Sequence, residues 1–321
     1  MGLDPVKNAI TAGKRTGLCC ICLPMWYNDG NAYMKGAFAM AFVLSAFADE
    51  IDSSLDEQIR VLRQTGIRYV EYRSGDGKNI SDHSVKEAEQ AARRLQDAGI
   101  ALSALGSPIG KVDITAPFAS HLDLFRHTLD LAEAMQAPYI RIFSFFMPQG
   151  EDPARYRSQV VDRMSAFAEA AQGRPVTLLH ENEKEIYGDI PERCLDILQA
   201  VGSPKLRATY DFSNFVQCGC DNMAAWQLLQ DEVVYFHLKD SVYSGEHAQR
   251  DRGLEVTGNG HRPVGEGDGC CRAILEQAQE RGFDGFASVE PHLGEEYGGS
   301  GEARFLRAAR AARLLLDQIG R

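Results

Sequence analysis

The sequence predicts an α/β protein built as one (β/α)₈ TIM barrel, and three observations lead there. From Phe42 to the end of the chain, short apolar runs alternate with amphipathic helical stretches. The apolar runs are continuous instead of alternating, which is the pattern of parallel strands buried on both faces. Eight such runs are each followed by a helical period, and a closed parallel barrel is the economical way to bury them. An open doubly wound sheet usually carries a glycine-rich turn after its first strand. Here that turn reads Ala46-Phe47-Ala48-Asp49-Glu50.

Taken in order, the strands are expected over Phe42–Ala48, Ile67–Arg73, Ile100–Leu105, Tyr139–Phe145, Val176–Glu181, Leu206–Asp211, Val233–Leu238 and Phe286–Glu290. Helical periods fall near 54–65, 82–98, 118–136, 153–171, 190–201, 222–230, 268–281 and 301–319. Gly66 and Gly99 supply the stop signals of the first two helices. Residues 1–40 lack this rhythm and are expected to be a poorly ordered N-terminal extension to a barrel spanning 41–321. The run from Met34 to Ala48 mimics a signal peptide ending in Ala46-Phe47-Ala48. It starts 33 residues into the chain, and Phe42–Ala48 reads as the first strand.

Composition narrows the function classes. The chain has 321 residues, 44% hydrophobic and 25% charged, which is ample for a large core. A formal net charge of −11 argues against a nucleic-acid partner. No uninterrupted apolar stretch approaches the roughly 18 residues of a membrane span. The eight cysteines lie at 19, 20, 22, 194, 218, 220, 270 and 271. They are read as reduced thiols of a cytoplasmic protein without a structural zinc module.

In such a barrel the C-terminal strand ends converge on one face, where chemistry sits. Strand five ends His180-Glu181-Asn182, strand six Tyr210-Asp211, strand seven His237-Leu238-Lys239-Asp240 and strand eight Val289-Glu290-Pro291. Each of these acidic or imidazole side chains alone has a bland explanation as a cap, an ion-pair partner or a packed core histidine. Together, closure would point Glu181, Asp211, His237 and Glu290 into one pocket, where three carboxylates repel. One divalent cation removes that repulsion. Carboxylate oxygen and imidazole nitrogen suit Mn²⁺ foremost, and also Mg²⁺, Co²⁺ or Zn²⁺.

The segment from about 42 to 321 resembles the xylose isomerase-like TIM-barrel superfamily, which includes ketose 3-epimerases, hydroxypyruvate isomerases, inosose dehydratases and apurinic endonucleases. The motifs are His180-Glu181-Asn182, Tyr210-Asp211, His237-Leu238-Lys239-Asp240, Val289-Glu290-Pro291 and the stretch Pro263-Val-Gly-Glu-Gly-Asp268-Gly. The resemblance implies that Glu181, Asp211, His237 and Glu290 bind one divalent metal, and that Glu181 and Glu290 double as acid and base. It departs at Asn214, where epimerases and endonucleases carry a substrate-holding histidine. The further histidines of the endonuclease cluster have no counterpart at matching strand ends.

The expected activity is therefore a metal-dependent sugar isomerase or epimerase acting through an enediolate next to a carbonyl. A dehydratase or lyase on a keto-inositol or keto-sugar is the first alternative, and a non-catalytic sugar-binding barrel the second. Lys239, two residues after His237, points to the same side and is expected to bind a substrate oxygen or protonate a leaving hydroxyl, or else to pair with Asp240 or Glu266. Glu71, Lys111, Arg141, Asn214 and His261 are the substrate-binding candidates. For Glu71 (with Arg73) and Arg141 the competing reading is a structural ion pair, and for Lys111 an oxyanion contact is expected. The long segment 241–267 carries His247, Arg250, Arg252, His261 and Arg262, a local positive character suited to an anionic or polyhydroxylated substrate. The expected partners are a small sugar or polyol and a second or fourth copy of the chain, with no nucleic acid and no membrane.

Overall fold

The structure, a computed structural model, describes residues 42–243 and 260–320. The extension expected over 1–40, and His247, Arg250 and Arg252, lie outside the described residues. Eight parallel strands form the barrel: β1 (Phe42–Ala46), β2 (Tyr69–Tyr72), β3 (Ala101–Gly106), β4 (Tyr139–Ile142), β5 (Thr177–Glu181), β6 (Leu206–Asp211), β7 (Val233–Leu238) and β8 (Gly285–Val289). Hydrogen-bonded neighbours run β1-β8-β7-β6-β5-β4-β3-β2. β1 and β2 lie side by side at the remaining seam without a ladder between them. The helices are α1 (Leu55–Thr65), α2 (Val85–Asp97), α3 (Phe118–Met135), α4 (Arg157–Ala170), α5 (Pro191–Val201), α6 (Phe212–Gln217), α7 (Asn222–Leu229), α8 (Cys271–Glu280) and α9 (Gly301–Ile319). Among the described residues, no helix is long and apolar enough to cross a membrane.

Local chemistry explains the boundaries. At α2, Ser84 and Glu87 form a reciprocal capping box, which satisfies two otherwise orphaned N–H groups. α1 stops at Gly66, whose φ of 71° is the left-handed C-cap conformation that glycine adopts without strain. Pro191 opens α5, where its missing N–H costs nothing. α9 buries Phe305, Ala308, Ala312, Leu315 and Ile319, a stripe at helical spacing.

Several elements differ from expectation. β1 ends at Ala46 and passes into a short 3₁₀ turn, Ala48–Glu50. β4 ends at Ile142, because the chain turns at Phe145 with a φ of 68°. α4 begins at Arg157 after a 3₁₀ turn, Pro153–Tyr156. The helix α6 was not expected: the Asp211 side chain caps it by accepting the Asn214 N–H, so a strand passes directly into a helix.

Alternation along the strands sorts the barrel interior into layers. The rings of Tyr69, Tyr139, Tyr235 and Phe286 pack against one another as the floor, with centroids 4.9–6.4 Å apart. Above them lie Ser45, Ser103 and Ser288, all fully buried. The top layer holds Phe47, Arg141, Glu181, Asp211, His237 and Glu290, all buried. The polar residues thus sit over a closed apolar base.

Candidate active site

Glu181 ends β5, Asp211 ends β6, His237 is the penultimate residue of β7, and Glu290 immediately follows β8. One ligand atom from each lies within 4.8 Å of the others, and all four residues are buried. Asp211 and His237 are register partners on adjacent strands. Asp211 divides its oxygens: Oδ1 caps α6, accepting the Asn214 N–H at 2.7 Å, while Oδ2 faces the cluster.

Cations surround the carboxylates. Arg141 Nη1 lies 2.8 Å from Glu181 Oε2. Lys239 Nζ is 2.9 Å from both Asp211 Oδ2 and Glu290 Oε2. His237 Nδ1 is 3.1 Å from Glu181 Oε1, and its Nε2 is 3.2 Å from Glu71 Oε2. Arg73 reaches Asp49 at 2.7 Å, Glu50 at 3.4 Å and Glu290 at 3.2 Å. His292 Nε2 approaches Glu290 Oε1 at 3.0 Å and Glu50 Oε1 at 3.3 Å.

These neighbours set the ionisation. Burial opposes the charge of Glu181, but His237 and Arg141 outweigh it and hold the carboxyl well below the usual carboxylate range. Burial likewise opposes the charge of Glu290, and Lys239 and His292 hold that carboxyl low. At Asp211 burial prevails: its carboxyl is pushed up in spite of Lys239. Although Lys239 stands 2.9 Å away, Asp211 Oδ2 forms no hydrogen bond of good geometry. A buried carboxylate oxygen without a hydrogen-bonded donor, facing two further carboxylates and an imidazole, is the environment a divalent ion would complete. The donor set of three carboxylates and one imidazole fits such an ion.

A cavity of about 160 Å³ opens beside this cluster, with Arg73, Lys111, Arg141, Glu181, Lys239, Glu290 and His292 in its wall. Lys111 stands at the rim, paired with Glu183 at 3.0 Å and lying 4.3 Å from the Phe143 ring centre. Arg141 is stacked between Phe143 and Phe47, at 4.6 and 5.4 Å.

Other candidates fall elsewhere. Glu71 is fully buried beneath His237 and does not line the cavity. No Arg73–Glu71 ion pair forms; Arg73 turns to Asp49, Glu50 and Glu290. Asn214 stands behind Glu181, donating Nδ2–H to Glu181 Oε1 at 3.2 Å and to the Asn182 carbonyl at 2.8 Å. His261 packs against Ser213 and Gln217, with its ring 5.4 Å from that of His292. Lys239 takes neither partner proposed for it. Asp240 instead accepts backbone N–H groups from Gly265, Gly267 and Gly269, and Glu266 pairs with Arg307.

Sequence reasoning passed over Asp49, Glu50, Glu183 and His292. Asp49 and Glu50 directly follow the first strand, and His292 lies two residues beyond Glu290, so strand-end position was an available signal for all three. His292 adopts a φ of 44°, unusual for a residue with a side chain, and donates its N–H to Glu50 Oε2 at 2.8 Å.

With strand order, quartet and cavity established, the class is clear. The chain belongs to the xylose isomerase-like TIM-barrel family, whose profile matches residues 59–313. Its sequence is 19% identical over 242 residues to the 3-dehydroshikimate dehydratase of Bacillus anthracis, covering 74% of this chain and 85% of that protein. The fold is similar to that of a zinc-bound IolI protein, with a TM-score of 0.70 and 17% identity over 86% of this chain and 99% of the other. It is also similar to that of an L-ribulose 3-epimerase, with a TM-score of 0.61 and 15% identity over 87% and 95%. At these identities the solved structures speak for the fold alone.

Proposed function

We propose that the protein is an isomerase or epimerase of a small sugar or polyol, moving a proton next to a carbonyl. In this reading Glu181, Asp211, His237 and Glu290 hold one divalent ion, Mn²⁺ foremost. The observation that carries the proposal is the buried quartet at four successive strand ends, bordering a cavity of about 160 Å³. When bound, the ion supplies a Lewis acid for the substrate's carbonyl and neighbouring hydroxyl oxygens.

The chain's own residues do the rest. Glu181 and Glu290 are the acid–base pair, both in the cavity wall; adjacent cations hold both ionised, so each can accept a proton and acts as acid only after it has taken one. A positioned base of this kind contributes about 10²–10⁴-fold. Asn214 and Arg141 grip the two oxygens of Glu181, which fixes its aim. Lys239 holds a proton at Nζ, 2.9 Å from Glu290, where it can steady a developing oxyanion. Lys111 and Arg141 present N–H donors to substrate oxygens from the cavity wall, and His261 borders the site through His292.

A second reading, a dehydratase or lyase on a keto-sugar or keto-inositol, draws on the dehydratase relative and on Lys239. An ammonium beside the base could protonate a departing β-hydroxyl. A panel of ketoses and keto-inositols, incubated with protein and Mn²⁺ in heavy water, separates the two. Isomerisation or epimerisation introduces carbon-bound deuterium without loss of water, whereas elimination loses water. Protein that retains no divalent metal and exchanges no proton, with E181Q and H237A altering neither result, would instead be a non-catalytic barrel.

A further inference from the structure

Glu71 has no place in the ligand quartet or the cavity wall, yet it is a charged residue at the centre of the barrel with no exposed surface. Its Oε2 lies 3.2 Å from His237 Nε2. The other ring nitrogen, Nδ1, faces the quartet: 3.1 Å from Glu181, 3.7 Å from Asp211 and 3.8 Å from Glu290. The Glu71 oxygen is placed to accept a proton carried on Nε2. In the metal-free chain Nδ1 meets Glu181 Oε1; with a metal bound, a ring that keeps its proton on Nε2 would offer the Nδ1 lone pair, on the atom aimed at the other three ligands.

The surroundings hold both partners still. The Phe47 and Tyr235 rings meet the imidazole edge-on, at 5.2 and 5.8 Å, and limit its rotation. The ladder between β2 and β3 shifts register between Val70 and Glu71, which re-aims the Glu71 side chain. Below, a buried hydroxyl chain runs from Ser45 to Ser103 at 2.6 Å and on to Tyr235 at 2.8 Å.

We propose that Glu71 is a positioning residue for His237: it holds the Nε2 proton and so presents Nδ1 as a ligand. The consequence for metal binding rests on the metal-dependent reading above; the state of the ring does not. Carboxylate partners of this kind typically change metal affinity about 10–100-fold when removed.

The test uses full-length protein labelled with ¹⁵N-histidine, metal-free and Zn²⁺-loaded, with H237Q to assign the His237 signal. Mn²⁺ affinity is measured by calorimetry for wild type, E71Q and E71L. We expect a hydrogen-bonded Nε2 proton in wild type and its shift or loss in E71L. Mn²⁺ should bind E71L about 10–100-fold more weakly, and E71Q, which keeps an acceptor, at an intermediate level. A merely structural role would lower the melting temperature and leave the affinity of folded protein unchanged. An unprotonated Nε2 in wild type overturns the proposal, as does folded E71L binding Mn²⁺ within about twofold of wild type. Should E71L not fold, an E71Q affinity and Nε2 signal both equal to wild type overturn it. If wild type binds no Mn²⁺, the metal-dependent reading fails, while the Nε2 signal still decides what Glu71 does to the ring.

Discussion

Replacing Arg141 with methionine isolates the charge compensation at Glu181. Arg141 is 5% exposed and Glu181 1%, and they meet at 2.8 Å. The guanidinium also donates to the Ser107 carbonyl at 3.3 Å and stacks on Phe143 and Phe47. Methionine keeps much of that apolar packing, so the loss is chiefly the charge. In R141M, Glu181 retains Asn214 and His237 but shares the cluster with Asp211 and Glu290, whose charges oppose its own. Removing one partner of a buried ion pair costs about 3–5 kcal/mol, and the two remaining donors place this site at about 3. The double variant R141M/E181Q removes the charge of both members of this pair. It should recover about 2 kcal/mol relative to R141M alone. Urea unfolding of the four proteins with chelator present completes the cycle. The reasoning fails if R141M lies within about 1 kcal/mol of wild type, or if the double variant is no more stable than R141M.

Two further predictions concern stability around the site. Burial pushes the His180 ring down to about 4, and its Nε2 meets Ser144 Oγ at 3.0 Å. An unfolded histidine titrates near 6.5, so the stability held by neutral His180 is complete above that pH. It is lost as pH falls through about 4, by up to about 3 kcal/mol. The wild-type advantage over H180Q should shrink accordingly between pH 7 and 4, and equal pH slopes for the two proteins would refute this. Asp240 accepts N–H groups from Ser241, Gly265, Gly267 and Gly269 at 2.8–3.0 Å. In D240A these donors lose their acceptor at about 1–3 kcal/mol each where water cannot replace it. Limited proteolysis should then cut within 263–269, with D240N intermediate; an uncut loop in D240A would count against that role.

Much of the fold was legible because its signals are local. Helix α9 spans 301–319, as its periodicity indicates, and β6 and β7 match their apolar runs residue for residue. The exceptions have specific physical causes. Helix α6 was hidden because Asp211 both ends a strand and caps a helix, leaving no turn residues to mark the junction. Two register shifts, at Val70/Glu71 and Ala208/Thr209, carry no signature in composition, yet they change where side chains aim.

That Glu181, Asp211, His237 and Glu290 meet follows from local pattern, because parallel strands in a closed barrel end on one face and alternation dictates which side chains point inward. Partner choice within that layer was left to the tertiary structure. Strand ends say that Arg73, Arg141 and Lys239 are near the site; only closure, stagger and the β2–β3 register shift decide that Arg141 takes Glu181, that Lys239 bridges Asp211 and Glu290, and that Arg73 leaves Glu71 to His237. Facing ends of different strands are 28 (239 − 211) to 217 residues apart in the pairs that matter, and a few ångströms of stagger exchange one carboxylate for another. Distances of that size are set by packing across the barrel, which no local pattern encodes.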